Sequence, residues 1–384
     1  MNLCIPYASV YMLAIGLSDS QVGLIATVYM LSQVVSAFLS GPITDKFGRR
    51  KTTAIFDIIS WSVPCIIWWR AEGFWFFFVA ALLNGAMRIT IVSFECLLVE
   101  DAEKSDITGI FSLIVVAGQL SAFFAPISAI LFSRFTLISA IRILYVNAFI
   151  IMTAKIVILY VFSRETERGK IRLEETRRKS IFSLTTGYSG VLKIIGKSRG
   201  TLFALVIAVL AGIVGMINTT FWQVIVTKKL LVPDSLLPFF LVLRNVVAIV
   251  FLFLVSPHLN KEFLKRPLLA GFAFYFVGQI FLIFAPVEGV FKYPVLCVSL
   301  VFDSFGSGAL LMLSGSLIAL NVNAEERARV MAILHMIIMA LTSPFGWIGG
   351  ILSEISRNLP FVLNLCLLTT GFFVTFFYYL RRVE

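Results

Sequence analysis

Residues 41–51 read Gly41-Pro-Ile-Thr-Asp45-Lys46-Phe-Gly48-Arg49-Arg50-Lys51, a short polar stretch between two apolar runs. The runs lie at about 21–42 and 52–69. A membrane-spanning helix needs about 20 apolar residues, because the hydrocarbon layer of a bilayer is about 30 Å thick. The polar stretch is therefore predicted to be a tight turn that joins two spanning helices.

The composition of the whole chain agrees with this prediction. Its 384 residues are 59% hydrophobic and only 14% charged, whereas soluble domains carry about 25% charged residues. Only helices and closed barrels satisfy every backbone group in lipid. The apolar runs are continuous rather than alternating, which favours helices over barrel strands. The sequence thus predicts an all-α membrane protein.

Apolar runs of spanning length recur along the chain. The predicted spans are about 1–18, 21–42, 52–69, 74–98, 107–133, 138–163, 201–227, 235–256, 267–286, 293–320, 328–353 and 358–380. The first is short, at the lower limit of a span. A long polar segment, 164–200, separates six spans from six others. We therefore predict an N-terminal six-helix bundle (1–163), a cytoplasmic linker (164–200) and a C-terminal six-helix bundle (201–384).

The distribution of basic residues predicts the orientation in the membrane. About 22 Lys and Arg fall on the side of the 44–52 turn and about 6 on the other, and cytoplasmic loops collect basic residues. The turn, the linker and the C-terminus are thus expected in the cytoplasm. This bias accounts for the net charge of +11 without a nucleic-acid partner. Part of the linker, around Ile171 and Leu173, is either a helix on the membrane surface or a plain solvated segment.

The residues of the turn suit a defined conformation. Gly48 permits a tight reversal, and Gly41 would let a helix end approach its neighbour closely. Asp45 is placed to accept charge-assisted hydrogen bonds from a basic side chain. The simpler alternative is a basic turn that only sets orientation, but the Asp and two glycines at fixed spacing are unnecessary for that.

This pattern, Gly-x-x-x-Asp-(Arg/Lys)-x-Gly-Arg-(Arg/Lys), resembles the signature loop of the major facilitator superfamily. Residues 164–169, Arg-Glu-Thr-Glu-Arg-Gly, are similar to a Pro-Glu-Thr-Lys-Gly ending common in that family, with Arg164 in place of Pro. The resemblance implies two six-helix bundles that transport by alternating access. It also implies that the loop latches the two halves on the cytoplasmic side and stabilises the outward-facing state, through Gly41, Asp45, Lys46, Gly48, Arg49 and Arg50.

Several charged residues lie inside predicted spans, where each needs a partner, water or a function. Arg88 and Glu95 are seven residues apart in span four and Asn84 is four before Arg88, so all three are predicted on one helical face. The resemblance implies that spans one, four, seven and ten line a central cavity. Glu95 would otherwise pair with the basic turn.

The second half carries its own charged residues. Arg244 in span eight and Asp303 in span ten are predicted at similar depths, which suggests an ion pair that is either a proton-responsive switch or a structural pin. Asn218 and Trp222 of span seven are further cavity candidates. Asp57 and Lys155, in spans three and six, are predicted to be structural and to pair.

These features predict a secondary active transporter of a small solute, proton-coupled, with efflux and uptake both open. Arg88 and Arg244 favour an anionic or polar substrate. The alternative is a non-transporting membrane receptor or partner-binding protein of the same fold. The five cysteines lie in apolar segments without metal-ligand spacing, and no catalytic constellation is present. We expect a monomeric, multi-pass protein of the plasma or inner membrane, without cofactor, metal or enzymatic activity.

Overall fold

A computed structural model describes residues 4–103, 106, 109–110, 113–114, 118, 124–181, 198–251, 253, 264–320 and 327–380. All regular secondary structure in these residues is helical. Nine of the described helices are long and apolar enough to cross a membrane. The predicted fold class, an all-α membrane protein, is confirmed.

The nine long helices correspond to predicted spans two, three, four, six, seven and nine to twelve. The first predicted span is a shorter apolar helix, Ile5–Ile15, as expected from its length. Predicted spans five and eight (107–133 and 235–256) lie partly outside the described residues, so the count of twelve stays a prediction.

The chain divides into two compact units. The first unit comprises Met1–Leu17, Ile25–Phe124 and Arg134–Ser189, so it includes residues 164–181 of the predicted linker. Its helices are α1 (Ala8–Ile15), α2 (Asp19–Phe47), α3 (Arg49–Asp57), α4 (Val63–Trp69), α5 (Phe74–Gly85), α6 (Met87–Val99), α8 (Leu137–Phe162) and α9 (Glu167–Thr176).

The second unit comprises Ser18–Leu24, Ala125–Ser133 and Gly190–Glu384, so it includes the first residues of α2. Its other helices are α7 (Ala125–Arg134), α10 (Arg199–Val224), α11 (Leu237–Val250), α12 (Lys265–Ile283), α13 (Lys292–Leu320), α14 (Arg327–Thr342), α15 (Pro344–Ile355) and α16 (Leu359–Leu380). The predicted domain boundaries at 163 and 201 remain predictions.

An aromatic cluster fills the core of the first unit. The Tyr11 hydroxyl donates a hydrogen bond to the Trp68 carbonyl at 2.8 Å, which satisfies a polar group that would be costly to bury unpaired. Trp68 packs edge-on against Phe77, with ring centroids 4.9 Å apart. These contacts join α1, α4 and α5 in one buried cluster.

Glycines bring α12 and α13 into close contact in the second unit. A Cβ on Gly306 would lie 2.5 Å from the Tyr275 backbone nitrogen, and a Cβ on Gly278 would lie 2.8 Å from the Asp303 nitrogen. Small residues allow this approach, since membrane helices associate by packing rather than by the hydrophobic effect. The close crossing fixes the position of Asp303 within the unit.

The predicted pairing of Asp57 with Lys155 is confirmed. The Lys155 Nζ lies 2.5 Å from the Asp57 Oδ2, with side chains 45% and 2% exposed, respectively. A π-helical turn, Ile58–Ser62, follows Asp57 and joins α3 to α4. The buried carboxylate therefore depends on a lysine that is itself half exposed.

The two partners of this pair should respond unequally to substitution. Lys155→Met leaves a buried carboxylate uncompensated and should destabilise the protein by about 2 kcal/mol, below the roughly 3–5 kcal/mol of a fully buried pair. Asp57→Asn should cost less, because Lys155 can extend toward the aqueous interface. Thermal unfolding in detergent would show which of the two variants is less stable. If the double variant Lys155→Met, Asp57→Asn were less stable than Lys155→Met alone, the pairing would be contradicted.

Candidate functional site

The signature turn adopts the tight reversal that its glycine predicts. Gly48 has φ +83°, a conformation that favours glycine, and α3 begins at the next residue. The Glu165 carboxylate accepts hydrogen bonds from the backbone N–H groups of Arg49, at 2.8 Å, and of Arg50, at 3.1 Å. It thus satisfies donors that a helix N-terminus leaves unpaired. Glu165, which belongs to the stretch that resembles a family ending, therefore caps the N-terminus of α3.

Asp45 and Arg49 belong to a charged network at the end of α6. The Arg49 side chain is 4% exposed, and its Nη2 lies 3.1 Å from the Asp45 Oδ1 and 2.9 Å from the Glu100 Oε1. The Arg49 Nε donates to the Glu100 Oε2 at 2.9 Å. Although burial raises the pKa of Glu100, the hydrogen bonds from Arg49 and Thr166 outweigh it, and the pKa is lowered. The expectation that Asp45 pairs with a basic side chain is confirmed.

The linker forms a helix, α9, as one of the two alternatives that the sequence left open requires. It begins after Thr166, whose hydroxyl donates to the Glu100 Oε2 at 2.6 Å, and its Arg172 Nη2 donates to the Asp45 Oδ2 at 2.7 Å. Hydrogen bonds to Asp45 and Glu175 raise the pKa of Arg172. Ion pairs thus hold α9 against the signature turn. A cavity of about 520 Å³ lies beside them, lined by Asp45, Arg49, Cys96, Glu100, Arg168 and Arg172.

The remaining residues of the predicted latch have varied environments. The Lys46 Nζ donates to the Lys179 carbonyl at 2.7 Å, and the Arg50 Nε donates to the Tyr160 carbonyl at 2.9 Å. The expectation for Gly41 was wrong: it lies inside α2, where a Cβ would meet no described atom within 4 Å. Because α2 continues past it to Phe47, Gly41 is not at a helix end.

A buried polar network surrounds Asp303 in the second unit. Asp303 is 1% exposed and accepts hydrogen bonds from the Asn218 Nδ2 at 3.1 Å and the Gln279 Nε2 at 2.9 Å. The Asn218 amide also donates to the Tyr275 hydroxyl, and the Asn364 amide donates to the Gln279 Oε1 at 3.0 Å. The network joins α10, α12, α13 and α16 around one carboxylate.

The predicted ion pair between Arg244 and Asp303 is not formed. Both residues are described, and no nitrogen–oxygen distance between them falls within 4.0 Å. Neutral amides occupy both Asp303 oxygens instead. The Arg244 guanidinium lies over the Trp222 ring, 5.5 Å from its centroid. Similar depth in the membrane did not ensure contact, since side-chain direction depends on helix rotation.

Asn84 does not share a stripe with the other polar residues of predicted span four, whereas Arg88 and Glu95 lie seven residues apart in α6 and keep the predicted common face. The Asn84 amide donates to the Ser60 carbonyl, whereas the Arg88 Nε donates to the Gln33 Oε1 at 2.9 Å. Glu95 is exposed. A turn at Ala86 divides the span into α5 and α6, so the spacing of an unbroken helix does not hold between Asn84 and Arg88.

Sequence reasoning missed three members of the Asp303 network. Tyr275 and Gln279 are four residues apart in α12 and therefore share a face; Asn364 is a single amide in the apolar helix α16. Polar side chains in apolar spans were a signal for all three. Their convergence on one carboxylate required the packing of four helices.

A bundle of long apolar helices with a buried carboxylate network is characteristic of polytopic membrane transporters. The sequence model of the Major Facilitator Superfamily matches residues 1–261. This chain belongs to that superfamily. It is also 28% identical over 133 residues to "Uncharacterized MFS-type transporter YqjV" of Bacillus subtilis (strain 168); the match covers 34% of this chain and 32% of YqjV. The aligned region thus spans about a third of that relative.

Solved structures of transporters share the fold. A mutant form of the nucleoside transporter NupG superposes with a TM-score of 0.77 at 12% identity, covering 97% of this chain and 95% of that one. A mutant form of the peptide transporter POT gives 0.71 at 13% identity, over 98% and 90% of the two chains. The xylose transporter XylE from E. coli gives 0.66 at 14%, over 98% and 94%. At these identities the likeness concerns the fold.

Proposed function

We propose that this protein is a secondary active transporter that moves a small polar or anionic solute across a cell membrane by alternating access, with protons as the coupling ion. Membership of the Major Facilitator Superfamily supports transport. The direction, uptake or efflux, is left open by this proposal. The C-terminus is placed in the cytoplasm by the basic-residue bias.

The observation that supports protons as the coupling ion is the environment of Asp303. Its carboxylate is 1% exposed in an apolar helix, and both of its hydrogen-bonding partners are neutral amides. An ionised carboxylate without a contacting cation is costly in the membrane. Protonation removes that charge, so a change in its surroundings during transport would change its proton affinity. Asp303 is thus suited to bind and release the coupling proton.

We assign the latch to Asp45 in the signature turn. Its side chain is 22% exposed and lines the 520 Å³ cavity, and Arg49 and Arg172 of its own unit already contact it. Transfer of Asp45 from Arg172 to a partner in the second half would stabilise the outward-facing state. Lys46, Gly48 and Arg50 shape the turn around it.

Solute-driven proton movement in proteoliposomes tests the proposed function. Sugars, nucleosides, amino acids and organic acids would be added singly to vesicles containing a pH-sensitive dye. The wild-type protein should move protons with at least one of them. Asp303→Asn should reduce this signal to that of empty vesicles, because asparagine cannot exchange a proton, yet should retain exchange of the labelled solute across the membrane.

Glu288→Gln provides a matched control, since Glu288 is an exposed carboxylate in a loop. It should behave like the wild type. Unchanged proton movement in Asp303→Asn would refute coupling through Asp303. A well-folded wild-type protein that transports none of these solutes would favour a non-transporting receptor of the same fold.

A further inference from the structure

The position of Arg244 distinguishes it from the other charged residues of the second unit. It lies in α11, seven residues after Leu237, or about 10 Å along the helix at 1.5 Å per residue. Its side chain is partly exposed, whereas Asp303 is fully buried. A solute that reaches this part of the unit would therefore meet the guanidinium rather than the carboxylate.

Trp222 holds this guanidinium in place. The Trp222 ring is 1% exposed and packs against Phe240 on one side, with ring centroids 6.0 Å apart. Arg244 lies over the ring at 5.5 Å, an arrangement in which the negative face of the indole attracts the cation. The contact restricts the rotation of the Arg244 side chain, and no described residue accepts a hydrogen bond from its N–H groups.

The Arg244 and Trp222 side chains offer hydrogen-bond donors only. A guanidinium has five N–H donors and no acceptor, and an indole has one donor and no acceptor. The Trp222 Nε1 is buried with no partner among the described residues. The described ion pairs likewise include no carboxylate bound to Arg244. A partly exposed guanidinium with no carboxylate within 4.0 Å among the described residues is complementary to a group that only accepts hydrogen bonds.

We propose that Arg244, held in place by Trp222, binds a carboxylate of the substrate, so that the substrate class is an organic anion. A carboxylate accepts two parallel hydrogen bonds from a guanidinium, and its negative charge compensates a cation that has no carboxylate within 4.0 Å in the described part of the chain. Arg244 is the residue that contacts the substrate, and Trp222, which is itself buried, positions it. This inference rests on the proposed function, since it names the solute of that transporter.

Binding of acids and their uncharged amides tests the assignment. Benzoate and benzamide, nicotinate and nicotinamide, and hexanoate and hexanamide have nearly the same shape but differ in charge. Dissociation constants at pH 7 would come from thermal shifts of the purified protein. At least one acid should bind about tenfold or more tightly than its amide, the strength expected of a charge-assisted hydrogen bond.

Three variants identify the residues responsible. Arg244→Gln should abolish the preference for the acid, whereas Arg244→Lys should keep part of it, since the charge remains. Trp222→Phe weakens the cation–π contact that positions Arg244, so it should weaken acid binding severalfold and leave amide binding unchanged. Arg134→Gln, at an exposed arginine, is the control for loss of one positive charge. The unliganded melting temperature of each variant reports whether it is folded.

The results separate this inference from the proposed function. Equal binding of acid and amide, binding of none of the acids, or a preference that survives in Arg244→Gln would overturn the carboxylate assignment. Proton-coupled transport of a neutral solute that is lost in Asp303→Asn would then leave the proposed function standing. Acid binding that depends on Arg244, without solute-driven proton movement, would support the carboxylate site and refute proton coupling.

Discussion

Replacing Arg49 with glutamine is expected to destabilise the protein by about 3–5 kcal/mol, the cost of removing one partner from a buried ion pair. The Arg49 side chain is 4% exposed and Glu100 is 10% exposed, so little water is available to replace the lost contact. The substitution also removes a contact of Asp45 at 3.1 Å. Thermal and denaturant unfolding in detergent would measure the loss.

The matched control is Lys51→Gln, which removes the same charge from an exposed position in the same turn and should change stability by less than about 0.5 kcal/mol. The double variant Arg49→Gln, Glu100→Gln should recover part of the loss, because no buried charge remains unpaired. Equal destabilisation by Arg49→Gln and Lys51→Gln would show that the Arg49–Glu100 pair contributes nothing specific.

The same pair predicts a dependence of stability on pH. The pKa of Glu100 is lowered from its ordinary value of 4.5, so its stabilising contribution is fully present above that value. It is lost as the pH falls through the folded-state pKa. The wild-type melting temperature should therefore decline in acid more steeply than that of Arg49→Gln. Parallel declines would argue against this linkage.

Replacing Gly306 with valine should prevent the native packing of the second unit. A Cβ at this position would lie 2.5 Å from the Tyr275 nitrogen and 2.7 Å from its Cα, so relief requires α12 and α13 to separate. The expected loss is about 3 kcal/mol or more, at the upper end of overpacking effects. Size-exclusion chromatography and thermal unfolding would detect it, and separation of the helices would also disrupt the contacts of Asp303.

Gly315→Val in the same helix is the matched control, because a Cβ at Gly315 meets no described atom within 4 Å. It introduces the same β-branched side chain at the same intrinsic cost to the helix. Comparable behaviour of the two variants would mean that helix propensity, rather than the α12–α13 contact, determines the result.

The sequence by itself determined the class of fold and the conformation of the signature turn. Spans of about 20 apolar residues admit few structures in a bilayer, because every backbone group must be satisfied within the protein. The turn was likewise predictable, since Gly48 at φ +83° and the pairing of Asp45 with Arg49 follow from local chemistry. The Asp57–Lys155 pair was recognised because charges in apolar helices need partners.

Only the tertiary structure decided which polar groups meet. Depth along a helix can be counted from sequence, but rotation about its axis and breaks such as the turn at Ala86 cannot, and these direct Arg244 to Trp222 and Asn84 away from Arg88. The partners of Asp303 come from other helices, up to 85 residues away. Their convergence depends on how closely Gly278 and Gly306 let α12 and α13 approach, a property of packing between helices rather than of any one segment.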